Sequence, residues 1–337
     1  MKNRETPKPK ELVVMSWGGA WGEALSRAVS GPFTRETGIP VRHERHIGLK
    51  LPPALVEALD GGRRPPFDVV WSNAVPALRA AAKGGAEPLD EECVPNLKVL
   101  HPRANPAEGG SSWPVVSPYI VHYVMAYCTD SFPKGKPDTW EVMLEKRFKE
   151  KIALYPGGNG FYPIAQVLGG GSVGDIPQAM NPCWEFLSLL KPQVGRLDYS
   201  IGMGEQIRRG ELKICFRSLP NALAFRNEGL DVSWTAPKEG ISDTADALWI
   251  PKNVPEDTAV WSKRYIDFAL SEDVQKAWCA LLGALPMNRR AAVPPIFGEA
   301  RGLPESLDDF RGVLHVSDAL KVRYEENWEA HFNEIFS

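Results

Sequence analysis

Hydrophobic positions along the chain fall into short, separated blocks. Residues 12–17, LVVMSW, form an apolar run that predicts a buried parallel strand, broken by Gly18-Gly19. Ala24, Leu25, Ala28 and Val29 then recur at the i, i+3/i+4 spacing of a helix. Gly31-Pro32 should kink or restart that helix, and Gly38 should stop it. Residues 40–46 alternate as a half-exposed strand. Residues 53–59 and 75–83 read as short helices, each closed by a Gly-Gly pair, with a buried strand at 67–71 between them. This alternation of strand and helix predicts an α/β fold with a parallel sheet.

The same pattern resumes after the Pro/Gly-rich stretch 105–118. Asp138 and Glu141 suggest a capping box before a helix. A strand at 151–155 leads through Gly157-Gly158-Asn159-Gly160 into a helix beginning near Phe161. Gly169-Gly170-Gly171 follows a helix and so reads as its C-terminal turn. Further strands are expected at 212–216 and 231–234, and Ser271 should cap a helix through Trp278 to Gly283. Glu272 and Asp273 suit the positive end of that helix. No internal repeat is evident, and two α/β lobes fit this order better than one continuous sheet.

Composition narrows the class. The chain has 337 residues, with 39 Lys+Arg against 42 Asp+Glu, for a net charge of −3. Without a basic run, nucleic acid is not expected as a partner. The longest apolar stretch, 119–128, is interrupted by His122 and is half the roughly 20 residues a membrane span needs. The first ten residues, MKNRETPKPK, lack the apolar segment of a signal peptide. Both a cytoplasmic reading and an exported one, with the signal already removed, stay open. Five cysteines without a CxxC pair and six histidines without ligand spacing argue against a metal site. Cys215 and Cys279 sit in apolar runs and read as buried thiols. No GxSxG, HExxH, P-loop or post-strand GxGxxG is present. His43 and His46 fall on opposite faces of a strand, which suits solvation better than a metal.

Strand ends are more informative, because open α/β sheets bind ligands beyond the carboxyl ends of their strands. Four such ends carry polar or aromatic groups. Trp17, Gly18, Gly19 and Trp21 offer aromatics and backbone N–H groups. Ser72 and Asn73 follow Trp71, which as a strand residue is expected in the core. Gly158, Asn159 and Phe161 lie at a glycine turn that could receive an anion. Arg217 and Ser218 follow another strand, and arginine can grip a carboxylate in bidentate fashion. Together they suggest a pocket for a small polar molecule.

Several segments, in order, resemble the spermidine/putrescine type of extracellular solute-binding proteins that serve ABC importers. These are SWGGAWGEALSRAVSGPFTRETGIPV, FDVVWSN, PLDEECVPNL, AYCTDSFPKGKPDTWEVM, PKEGISDTADALWIPKN, RYIDFALSEDVQKAW and GALPMNRRA, spanning residues 11 to about 292. The resemblance implies a two-lobe periplasmic binding protein type II fold with crossover hinge strands and a ligand closed in the cleft. It places lobe 1 at 11–118 plus 247–290 and lobe 2 at 119–246, with 291–337 a C-terminal helical segment packing across the lobes. It also implies a periplasmic monomer without a cofactor or metal that delivers its ligand to an inner-membrane ABC permease.

The polyamine pattern is only partly kept. Its cleft aspartate matches Asp246, but aromatic positions hold Thr244 and Ala74, and acidic ones hold Gly157, Gly158 and Asn159. A further tryptophan position is Ser218, beside Arg217. The site thus loses anions and gains a cation, and a buried diammonium ligand would be left uncompensated there at a cost of several kcal/mol. The expectation is a zwitterionic or carboxylate-bearing metabolite, opine-like or amino-acid-like. Its amino end would lie near Asp246 and its anionic end near Arg217, Ser218 and the glycine turn. The alternatives are a polyamine-binding protein and an enzyme on the same scaffold, for which Cys128 or Asp246 are the weak candidates.

Overall fold

The computed structural model describes residues 6–46, 48–108, 113–199, 202–300 and 302–337. Residues 1–5 of the polar N-terminal stretch and 109–112 of the Pro/Gly-rich stretch lie outside the described residues. The chain divides into two compact units, 1–120 with 245–294, and 121–244 with 295–337.

Unit 1 begins with β1 (Leu12–Trp17), which pairs in parallel with β2 (Val41–His46) and β3 (Val69–Asn73). Between β1 and β2 lie α1 (Gly19–Leu25) and α2 (Gly31–Thr37). Gly31-Pro32 does not interrupt the helical path, because Ser26–Ser30 forms a π-helical turn joining the two. That wider turn absorbs the backbone bond that Pro32, with no N–H, fails to donate. Gly38 then stops α2 in the left-handed region at φ 75°. α3 (Pro53–Asp60) and α4 (Ala74–Ala82) flank β3 on either side in sequence.

The chain leaves unit 1 within β4 (Tyr119–Cys128), all ten residues of which are buried. Unit 2 continues with β5 (Ile152–Leu154), α5 (Tyr162–Leu168), α6 (Asn181–Leu190), β6 (Val194–Leu197), α7 (Met203–Arg208) and β7 (Ile214–Ser218). α8 (Leu219–Asn227) and β8 (Val232–Thr235) follow. Here β5 runs parallel to β6 and β7, while β7 and β8 both run antiparallel to β4. The DTWE segment departs from the expected capping box. Thr139, not Asp138, caps a single 3-10 turn at Trp140–Leu144, its hydroxyl accepting from the Glu141 amide at 3.2 Å. Glu239 fixes this geometry by accepting from the Thr139 hydroxyl and the Trp140 amide.

The return to unit 1 occurs within β9 (Ile241–Trp249), whose second half pairs antiparallel with β3. α9 (Glu256–Leu270), α10 (Glu272–Leu282) and β10 (Leu285–Pro286) complete this unit, β10 pairing with Tyr119 and Ile120. Ser271 precedes α10 as expected, but its hydroxyl donates back to the Phe268 carbonyl at 2.7 Å rather than capping. Trp71 is 1% exposed and packs edge-on against Trp278, as a core strand residue should. The chain ends in unit 2 with β11 (Val313–Leu314), paired to Ile241 and Ser242, and α11 (Asp318–Phe336), which packs on α6 and the Pro156–Gly158 turn. Among the described residues, no helix is long and apolar enough to cross a membrane.

Candidate functional site

In unit 1 the first turn of α1, the end of β3, the start of β4 and the returning half of β9 assemble one polar network. The β3–β9 register sets Asn73 opposite Asp246. Asn73 Nδ2 donates to Asp246 Oδ1 at 3.1 Å, and the Tyr119 hydroxyl donates to Asp246 Oδ2 at 2.8 Å. Trp21 Nε1 in turn donates to the Tyr119 oxygen at 3.1 Å, and the Trp17 and Trp21 rings sit 5.6 Å apart. Both tryptophans are half-buried, whereas Asp246 is 3% exposed. Because a carboxylate only accepts, the amide nitrogen of Asn73 must face Asp246, which fixes the orientation of the side chain. Its carbonyl oxygen, Oδ1, is then buried with no donor. This corner of unit 1 is therefore rich in acceptors.

Ser72 supports the network without joining it, accepting from Trp249 Nε1 and donating to the Asn73 carbonyl, both at 3.1 Å. Gly18 precedes α1, and Arg45 lies so close that a Cβ there would sit 2.9 Å from its Nε. Gly19 is exposed, with φ of 60°. Burial pushes the Tyr119 phenol well above its ordinary value, and the neighbouring Asp246 charge adds to this. Tyr119 is thus a neutral donor to the carboxylate. Sequence reasoning passed over it as the start of an apolar strand; its only signal was a hydroxyl-bearing ring in a run otherwise suited to the core.

Unit 2 carries the opposite surplus. Arg217 is 0% exposed, and its guanidinium lies 4.6 Å from the centre of the Tyr155 ring. One terminal nitrogen donates to the Phe216 carbonyl at 2.6 Å and the other to the Met203 sulfur, a weak acceptor. Its Nε is buried with no acceptor, and no described carboxylate lies within ion-pair distance of it. The Tyr155 oxygen accepts from the Ser218 amide at 3.3 Å and from Asn221 Nδ2 at 2.8 Å. The Ser218 hydroxyl accepts from the Asn221 amide at 3.4 Å, capping α8. The cluster thus offers the Arg217 Nε–H and the Tyr155 and Ser218 hydroxyl protons, with fewer acceptors than donors.

The glycine turn is used mainly for packing. A Cβ at Gly158 would lie 2.6 Å from the Phe332 ring of α11, so the turn and that helix fit only with glycine there. Phe161 is 1% exposed and packs against Phe216 at 4.9 Å, inside the core. Asn159 is half-buried and donates to the Tyr123 hydroxyl at 3.1 Å. α5 begins with Tyr162-Pro163, and the proline removes an N–H that an anion could have used. Beside this turn, Asn159, Ser242, Asp243, Lys321, Glu325 and Trp328 line a pocket. Asp243 pairs there with His315 at 2.8 Å, and Lys321 with Asp318 at 3.0 Å.

Cys128 is a poor nucleophile. Its thiol is buried, donates to the Leu212 carbonyl at 3.4 Å, and is pushed up to about 12, first by burial and then by Cys215. All five cysteines are free thiols. His43 Nδ1 meets the Ser16 hydroxyl at 3.3 Å, and no group able to hold a metal ion occurs among the described residues.

Solved structures with this architecture cover almost the whole chain. An ABC transporter substrate-binding protein from Bradyrhizobium japonicum superposes with a TM-score of 0.83 at 20% identity, over 98% of this chain and all of its own. MotA from A. tumefaciens B6, in complex with glucopine, gives 0.78 at 17% identity over 97% of this chain and 100% of its own. The Atu4243 GABA receptor gives 0.77 at 18% identity over 97% and 98%. At such identities the likeness establishes the fold, which is that of periplasmic binding proteins. No curated protein matches the sequence. The family model for bacterial extracellular solute-binding proteins matches residues 28–304, and the chain belongs to that family.

Proposed function

We propose that this protein is the substrate-binding component of an ABC importer, working in the periplasm with an inner-membrane permease. We infer further that its ligand is a small zwitterionic or carboxylate-bearing metabolite. The observation that carries this reading is Arg217, a fully buried cation to which no described carboxylate is paired. Leaving a buried charge uncompensated costs several kcal/mol, so the cluster around it favours an anionic group arriving with the ligand. In unit 1, the acceptor-rich corner of Asp246 and the Asn73 oxygen suits an ammonium group. Trp17 and Trp21 beside it can add cation–π contacts of about 0.5–2 kcal/mol each. The glucopine and GABA named for two of the solved relatives are candidate ligands on the same grounds.

A thermal-shift panel of amino acids, opines, simple carboxylates and polyamines tests the reading. Ligand at about 100 times its dissociation constant adds about 2.7 kcal/mol, a readily measured shift. Stabilisation by carboxylate-bearing compounds is the expected result. A panel in which only putrescine or spermidine stabilises the protein would reverse the assignment of charges and make the site a polyamine site.

A further inference from the structure

Arg217 is too deeply placed to meet a ligand first. Exposure rises outward from 0% at Arg217 to 5% at Ser218 and 6% at Tyr155, and then to the half-buried Asn221. Tyr155 covers the guanidinium with its ring and carries its hydroxyl toward Ser218 and Asn221. That phenolic oxygen accepts two hydrogen bonds, from a backbone amide and from an amide nitrogen, neither of which can take its proton. The hydroxyl proton is therefore left over, beside a positive charge that strengthens it as a donor. The Ser218 hydroxyl is in the same position, since its oxygen accepts from the Asn221 amide.

We propose that Tyr155 is the specificity-determining residue of the unit 2 subsite. Its hydroxyl donates to a carboxylate oxygen of the ligand, and its ring holds the Arg217 guanidinium behind as the compensating charge. This rests on the reading of Arg217 given under Proposed function and goes beyond it in naming the contacting group. The subsite then selects an acceptor-only oxyanion. A carboxamide of the same shape would present an N–H toward donors and be refused. Asn221 acts as a positioning residue, since its amide nitrogen fixes where the phenol oxygen lies.

The test titrates wild type, Tyr155→Phe, Asn221→Ala and Arg217→Ala with γ-aminobutyrate, 4-aminobutanamide and glucopine by calorimetry, with circular dichroism as a fold control. Tyr155→Phe keeps the ring over Arg217 and removes only the hydroxyl. Losing one hydrogen bond to a charged group should weaken carboxylate binding by about 10- to 100-fold and narrow the preference over the amide. Asn221→Ala should produce a smaller change in the same direction, which keeps the proposal open to test if Tyr155→Phe fails to fold. If Arg217→Ala abolishes binding while Tyr155→Phe and Asn221→Ala keep both affinity and preference, Tyr155 is only a packing residue and the inference falls. If wild type binds neither carboxylate, or Arg217→Ala binds as wild type does, the underlying reading falls with it.

Discussion

Replacing Arg217 with methionine separates stability from binding. In the wild type the guanidinium is 0% exposed and faces a backbone carbonyl, a thioether and a tyrosine ring. An uncompensated buried charge costs about 3–5 kcal/mol. Against this, the Tyr155 ring returns about 0.5–2 kcal/mol. The bond to the Phe216 carbonyl, made by a charged donor, returns about 1.5–3 kcal/mol, and the one to sulfur less. Methionine fills much of the same volume with a flexible apolar chain and avoids the charge altogether. The balance is near zero, a gain of about 0–1 kcal/mol in unit 2. For a folding unit of this size that raises its melting temperature by at most about 4 °C. Calorimetric scanning of both proteins without ligand reads the shift, and the same scans with γ-aminobutyrate read binding. R217M should melt no lower than wild type and lose its response to carboxylates, the trade expected where a buried charge is kept for a ligand. A variant that melts below wild type, or one that still responds to carboxylates, would refute the reasoning.

Other consequences can be checked with simple measurements. Burial raises the phenols of Tyr119 and Tyr162 well above their ordinary value and that of Tyr265 to about 12. The folded protein keeps these protons while the unfolded chain loses them above pH of about 10, so stability should hold below that pH and fall above it. Phenolate absorbance rising in step with unfolding, rather than before it, is the expected sign. Cys93 is exposed and the other four cysteines are buried, so iodoacetamide should modify one thiol in the native protein and five after denaturation, counted by mass spectrometry. Gly158 has φ of 68°, and an added Cβ would strike Phe332, so Gly158→Ala should destabilise the protein by about 1–3 kcal/mol in chemical denaturation. An unchanged midpoint would show that α11 yields freely at that contact.

Much of the architecture was readable from the residue pattern, because strands such as 12–17 and helices such as 53–59 are encoded by local periodicity and closed by glycine. Where the pattern misled, a distant or neighbouring group had intervened. The DTWE segment became a 3-10 turn because Glu239, about a hundred residues away, binds Thr139 and Trp140. Gly31-Pro32 stayed helical because a π turn preceded it. The same division runs through the candidate site. The family resemblance marked Asp246, and residue type marked Asn73, Arg217 and Ser218, since few side chains can offer charge or hydrogen bonds at a strand end. It left Tyr119 and Tyr155 unmarked, because a tyrosine in an apolar run has the same pattern whether its hydroxyl is used or not. Their partners arrive through long-range pairing: Tyr119 meets Asp246 across 127 residues, and Tyr155 meets Asn221 across 66. By itself, the sequence determined the α/β order and the inventory of charged and hydrogen-bonding groups. The tertiary structure alone decided which donors and acceptors were satisfied, because satisfaction depends on distance in space, and distance in space is set by which strands pair.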